Sequence, residues 1–248
     1  MSHKQKKTCK TLFALIFWIG IWALCAGIMG KELLLPTPYA VFKRLCALAV
    51  TKQFWHITCI SLLRVFGGFF AGLFAGSVLA VLSCVSSIAD ALISPIMHII
   101  RATPVTSFII LVMLWLRYTY VPVFICALLV LPIIYGNLKT GIKETDRQLL
   151  EVARIYRFGK FKTVKSVYAP AVSPYFISGA LTSLGLAWKA GVAAEVLALP
   201  ANAIGTNIYY SKIYLETPDL FAWTAVVILL SFLLEKVFVR LLKRGTAR

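Results

Sequence analysis

Apolar runs long enough to cross a bilayer recur along the chain, each bounded by polar or basic residues. They cover residues 11–29, about 65–85, 91–116, 120–136, about 173–197 and 220–242. A helix of about 20 apolar residues spans the ~30 Å of hydrocarbon in a bilayer. Inside lipid a chain must satisfy its own backbone hydrogen bonds, which a helix does alone. Only 14% of the 248 residues are charged and 60% are hydrophobic, whereas a soluble domain carries nearer ~25% charge. The runs therefore predict an all-α, polytopic helical bundle with about six transmembrane helices.

The net charge of +17 invites a nucleic-acid reading, but its distribution argues otherwise. Basic residues cluster at Lys4, Lys6, Lys7 and Lys10, in eight positions from Lys139 to Lys165, and at Lys236, Arg240, Lys243, Arg244 and Arg248. With six crossings all three clusters fall on one side. The positive-inside rule makes that side cytoplasmic, for both termini and the central loop, and anionic lipid headgroups attract the same charge.

The first run follows a basic tail, as in a signal peptide. It exceeds the ~7–15 residues of a cleaved core, lacks a small-residue cleavage site and carries Trp18 and Trp22. It is expected to be retained, so 1–30 forms the tail and first crossing. The six cysteines occur singly and the only histidines are His3, His56 and His98. No zinc pattern arises, and the thiols read as small hydrophobes.

Residues 31–56 contain Leu35-Pro-Thr-Pro38 and then Val41, Leu45, Leu48 and Ala49 at helical spacing beside Lys43, Arg44 and Lys52. This pattern predicts an amphipathic helix on the outer interface. The main core, 57–248, opens on a run containing Gly68, Gly72 and Gly76, whose shared face lets another helix approach closely. The third run is expected to be broken at Pro95 and Pro104. Arg101 lies about 15 Å into it, where an arginine facing lipid costs ~2.5–3.5 kcal/mol. Arg101, with Thr103 and Pro104, is thus a candidate for the lining of a pathway, with snorkelling to the cytoplasmic headgroups or a structural tie to a neighbouring carbonyl as the alternatives. A tight turn at 117–119 makes the third and fourth runs antiparallel neighbours. Lys189 and Glu195 are polar positions embedded in the fifth run, and 202–219 reads as a polar outer connection.

The loop within 137–170 predicts two short helices. Thr145-x-x-Gln148 has the form of a capping box, and Asp146 adds negative charge at a helix start. Leu149, Val152, Ala153 and Tyr156 share one face of a helix from about Asp146 to about Phe158, an apolar face that needs something to rest against. Gly159 can supply a turn, and a second helix runs to Tyr168 before Pro170.

This loop resembles the cytoplasmic signature E-A-A-x3-G-x9-I-x-L-P of permease subunits of ATP-binding-cassette importers. Glu151, Ala153 and Pro170 match; Val152, Val167 and Ala169 are softened positions; Arg157 stands where the signature has glycine, with Gly159 two residues later. Leu35-Pro-Thr-Pro38, Arg101-Ala-Thr-Pro-Val105, Pro170-Ala-Val-Ser-Pro-Tyr175 and Ala187-Trp-Lys-Ala-Gly-Val-Ala-Ala-Glu195 resemble the nitrate/sulfonate/taurine/bicarbonate-type group of these permeases. The resemblance implies a subunit of the bacterial inner membrane, working as a homodimer or pseudo-dimer. It implies a cytoplasmic ATP-binding subunit docked on 151–170 and an external solute-binding protein. No G-x-x-x-x-G-K-[ST] occurs in the chain, so ATP and Mg would be bound by the partner and the chain itself would hold no cofactor.

Two other classes fit less well. An ion-coupled secondary transporter shows internal repeats and intramembrane acids, and here such acids are sparse. A membrane enzyme needs clustered acid–base or metal-binding side chains, and nine acidic residues are scattered over the chain. Arg64, Arg101 and Lys189 would suit a small anion. Permeases of this shape also serve neutral or cationic heterocycles, and the binding protein carries most of the selectivity.

Overall fold

The computed structural model describes the backbone of residues 3–246 and the side chains of 13–240. The terminal basic residues Lys4, Lys6, Lys7, Lys10, Lys243, Arg244 and Arg248 lie outside the described side chains.

The described chain is helical throughout its ordered elements. A first helix, α1 (His3–Met29), leads to α2 (Pro38–Ala49). Thr37 caps α2 by accepting from Ala40 N at 3.2 Å, and Pro38 sits in the first turn, where its missing N–H costs nothing. The 31–56 segment does not remain one amphipathic unit. Thr51 caps a new helix by accepting from Phe54 N, and α3 then runs unbroken over Lys52–Val85. The second crossing therefore starts well before Val65. At ~1.5 Å per residue α3 is about 51 Å long, so its polar first turns, with Lys52 and His56, extend past the apolar stretch.

The third run bends once. Helix α4 (Ser87–Ala102) continues through Pro95, contrary to the expected break there, and the chain turns by 104° into α5 (Val105–Val112). The turn falls at Thr103, which adopts an extended ψ of 133° because the ring of Pro104 crowds a helical conformation in the residue before it. Helix α6 (Val121–Lys143) follows, then the loop helices α7 (Arg147–Ile155) and α8 (Lys160–Thr163), a π turn (Val164–Tyr168), α9 (Ala169–Ala198), α10 (Ile204–Ile213) and α11 (Thr217–Thr246). The polar connection expected over 202–219 contains α10, which packs on α9 and α11.

Among the described residues, four helical stretches are long and apolar enough to cross a membrane, and the α4–α5 pair makes a fifth when counted as one broken span. The six crossings expected from the sequence also require the shorter apolar stretch Phe13–Met29.

The centre is a triple contact of α3, α6 and α9. A β-carbon at Gly68 would strike Val123 O and lie 2.6 Å from Cys126 Cβ, and one at Gly72 would lie 2.7 Å from Ala127 O. The glycine face thus brings α3 backbone-to-backbone against α6, as its spacing predicts. Gly191 of α9 does the same from the third side, where a β-carbon would lie 2.7 Å from Val65 and 2.8 Å from Cys126. Phe69, Val130, Ile134, Leu184 and Trp188 fill the space around this contact. At the periphery, an ion pair between Arg44 and Asp219 fastens α2 to α11, and its hydrogen bond holds the Arg44 guanidinium above its ordinary pKa.

Candidate functional site

Two regions carry the residues singled out in the sequence. The first is the loop between α6 and α9. Asp146, rather than Thr145, caps α7 by accepting from Gln148 N at 2.8 Å. The Thr145 hydroxyl is buried and donates to Gly141 O, so the expected capping box does not form. The end of α7 is a Schellman turn: Phe158 N donates to Ala153 O at 2.8 Å and Arg157 N to Arg154 O at 2.9 Å. The residue that turns the chain is Arg157, with φ +50°, whereas Gly159 has an ordinary φ of −64° and caps α8. The left-handed position of the turn coincides with the signature glycine, and this chain places an arginine in it.

The second loop helix does not stop at Pro170. The four residues of α8, the π turn and α9 form one helical stretch, Lys160–Ala198. A proline inside an α-helix clashes with the carbonyl four residues back, here Ser166. The wider π turn, closed by Ala169 N donating to Val164 O, spans that carbonyl and lets the helix pass through the proline.

Only Ala153 of the expected apolar face is buried, at 3% exposure. Leu149, Val152, Ile155, Tyr156 and Phe161 are all exposed. Between α7 and the α8–π segment lies a cleft of about 330 Å³, lined among others by Leu150, Ala153, Phe158 and Val164. Glu151 and Pro170 are exposed beside it. Lys162 lies 4.1 Å from the Phe158 ring centroid, a cation–π contact between α8 and the end of α7.

The second region lies along α9. Its four sides are differently used. Ala187 and Gly191 face Cys126 of α6, whose thiol donates to Ala187 O at 3.2 Å. Trp188 donates to Val227 O of α11 at 3.0 Å. Ala190, Ala194 and Ala198 pack with Ile109 and Val112 of α5. Thr182, Leu186, Lys189 and Ala193 remain exposed.

The other polar residues of the spans are engaged. Glu195 is fully buried and accepts from Ser61 Oγ at 2.9 Å and from Gly205 N at 3.1 Å, with Arg64 Nη1 at 3.5 Å. Ser61 accepts in turn from Ile204 N, and Arg64 donates to Ala201 O and Asn202 O. The carboxylate and arginine together hold the α9–α10 turn and the first N–H groups of α10 against α3. Sequence reasoning assigned Arg64 to a solute and missed Ser61. The available signal was that two opposite charges in apolar runs tend to pair. Arg101 donates to Pro132 O of α6, and its guanidinium occupies the space a side chain at Gly136 would need. Thr103 donates to Ile99 O, closing the last turn of α4, and Pro104 sits exposed at the bend.

This architecture, with broken and glycine-packed spans and a two-helix projection between two of them, is matched at the level of sequence. Residues 68–248 fit the family described as binding-protein-dependent transport system inner membrane component. The chain belongs to this family. The permease is 28% identical to a Bacillus subtilis (strain 168) protein named as the aliphatic sulfonates transport permease SsuC, over 91% of this chain and 82% of that one. It is 24% identical to the taurine transport system permease TauC of Escherichia coli (strain K12), over 86% and 80% of the two chains. With the nitrate import permease NrtB of Leptolyngbya laminosa it shares 27% identity over 77% and 71%. In fold the permease resembles a chain of the MetNI methionine ABC transporter in an inward-facing conformation, with a TM-score of 0.60 at 19% identity, over 77% of this chain and 93% of that chain. It is a multi-pass permease subunit of an ATP-binding-cassette importer for small solutes.

Proposed function

We propose that this permease forms part of the translocation path for a small anion, such as a sulfonate, nitrate or bicarbonate, and couples it to ATP hydrolysis through 151–170. The observation that carries the coupling assignment is the loop's surface: five large apolar side chains stand exposed around a cleft, on helices too polar for the bilayer. Exposed apolar groups clustered on a charged element mark a protein contact. Its occupant is a cytoplasmic ATP-binding subunit, which supplies the ATP and Mg site. An external solute-binding protein delivers cargo, a second permease copy completes the path, and both termini lie with the loop in the cytoplasm. The relatives named for sulfonates, taurine and nitrate support the choice of an anion.

The test is co-purification of the tagged permease from native membranes in mild detergent, followed by ATP hydrolysis in the eluate. Glu151→Lys changes an exposed residue and leaves α7 intact, so it reports on docking; Ala153→Asp would also place a charge where the loop is buried. The expected result is a co-eluting ATPase that Glu151→Lys loses, with insertion unchanged. Hydrolysis and uptake unaffected by Glu151→Lys would overturn the docking assignment.

A further inference from the structure

We propose that Lys189 is the charge-selecting residue of the translocation path, receiving the anionic group of a passing solute on the uncovered face of α9. This rests on the importer reading above and names the residue that gives the path its sign.

Lys189 lies about 13 Å of helix before the end of α9 at Ala198, well within the apolar stretch. It is exposed on its helix, and a lysine at that depth is not stable against hydrocarbon. The face that carries it must therefore meet water or a polar surface. The other sides of α9 are closed by α6, α11 and α5 through Cys126, Val227 and Ile109, and by α3 and α10 through Val65 and Gly205. Thr182, Leu186, Lys189, Ala193 and Leu197 remain open on this face.

Of the three cations that could serve an anion, the other two are occupied. Arg64 is bound to Glu195 and to two carbonyls, and Arg101 is lodged against Gly136 on the carbonyl of Pro132. Among the described residues Lys189 has neither a hydrogen bond nor an ion pair. The acids of the spans are likewise distant or engaged. Glu195 faces α3 and α10, and Asp90 is bound by Lys139 and Tyr135. Glu235 of α11 lines a cavity with Leu181, Leu184, Gly185 and Trp188 of α9, on the side of α9 that faces α11 rather than on the open face, and it makes no ion pair with Lys189 among the described residues. An uncompensated ammonium in a low-dielectric wall repels cations and is neutralised best by a mobile anion.

The experiment measures charge selection without knowing the natural cargo. Ala193→Cys places a thiol one turn from Lys189 on the same face, about 6 Å away. The full-length permease in membranes is treated with an anionic (sulfonatoethyl) or a cationic (trimethylammonioethyl) methanethiosulfonate, and modification at residue 193 is followed by mass spectrometry. The anionic reagent is expected to react faster, and the anion-to-cation rate ratio to fall about tenfold in Lys189→Gln, the change a unit charge produces at ~6 Å in water. Lys189→Arg should retain the ratio. Three results overturn the proposal: a cationic reagent that reacts faster with Lys189 intact, a ratio unchanged in Lys189→Gln, or an introduced thiol that reacts only with neutral, membrane-permeant N-ethylmaleimide. The first and third need no variant at 189, so misfolding of Lys189→Gln would leave the test decisive. Labelling requires neither nucleotide nor binding protein, so its outcome is separate from whether an ATPase co-purifies.

Discussion

Replacing Arg157 by glycine should tighten the end of α7. The residue is held at φ +50° by two hydrogen bonds of the Schellman turn, from Phe158 N to Ala153 O and from Arg157 N to Arg154 O. A β-carbon in the left-handed region costs ~1–2 kcal/mol. Glycine removes that strain but loses ~0.5–1 kcal/mol more conformational entropy on ordering. The net gain is about 0.5–1 kcal/mol, which closes the turn roughly two- to fivefold more of the time. The assay is amide hydrogen exchange over 153–158 in the detergent-solubilised permease, where protection of Phe158 N–H should rise by that factor. Arg157→Ala keeps the β-carbon and should give no gain. Gly159→Ala should be neutral, since its φ is ordinary and a β-carbon there meets nothing within 4 Å. Equal protection in Arg157→Gly and Arg157→Ala would refute the backbone argument and assign the effect to the lost charge.

Two further substitutions probe the bundle. Gly68→Ala should destabilise it by ~1–3 kcal/mol, because the new methyl meets the backbone carbonyl of Val123, whereas Gly185→Ala, with open space around it, should not; thermal unfolding midpoints in detergent check the pair. Glu195→Ala should cost about 3–5 kcal/mol, the penalty for stranding one partner of a buried pair, because it leaves Arg64 with two carbonyl acceptors but no counter-charge, and Ser61 Oγ and Gly205 N without the carboxylate they donate to. An unchanged midpoint in Glu195→Ala would show that the α9–α10 turn is held by other contacts.

The membrane class and most of the spans were legible because hydrocarbon tolerates few alternatives to an apolar helix. The bend at Pro104 and the glycine face were legible for a similar reason, since steric rules acting between adjacent residues or along one helix face decide them. What escaped depended on distance or on surplus length. Arg64 and Glu195 are 131 residues apart, and nothing in either local pattern names the other. Helix α3 extends past the apolar run because Thr51 provides a cap, so hydropathy alone placed its start too late. The run at 202–219 reads as a loop by polarity, yet α10 is fixed there by hydrogen bonds to Glu195 and Ser61 on other helices. At the loop, the signature's glycine position, Arg157, coincides with the turn, whereas the local residue pattern pointed to Gly159, because an arginine in a left-handed conformation is the less expected choice.

In the proposed coupling, the continuous helical run from Lys160 to Ala198 makes the docking surface and the exposed lysine two points on one lever. Lys160 and Lys189 are separated by about 44 Å of helix, so a tilt of about 5° imposed at the Lys160 end displaces the helix at Lys189 by roughly 4 Å by that same length. The π turn before Pro170 is the one place along this arm where the α-helical spacing is interrupted. Its stiffness therefore sets how much of a tilt applied at Lys160 would reach Lys189.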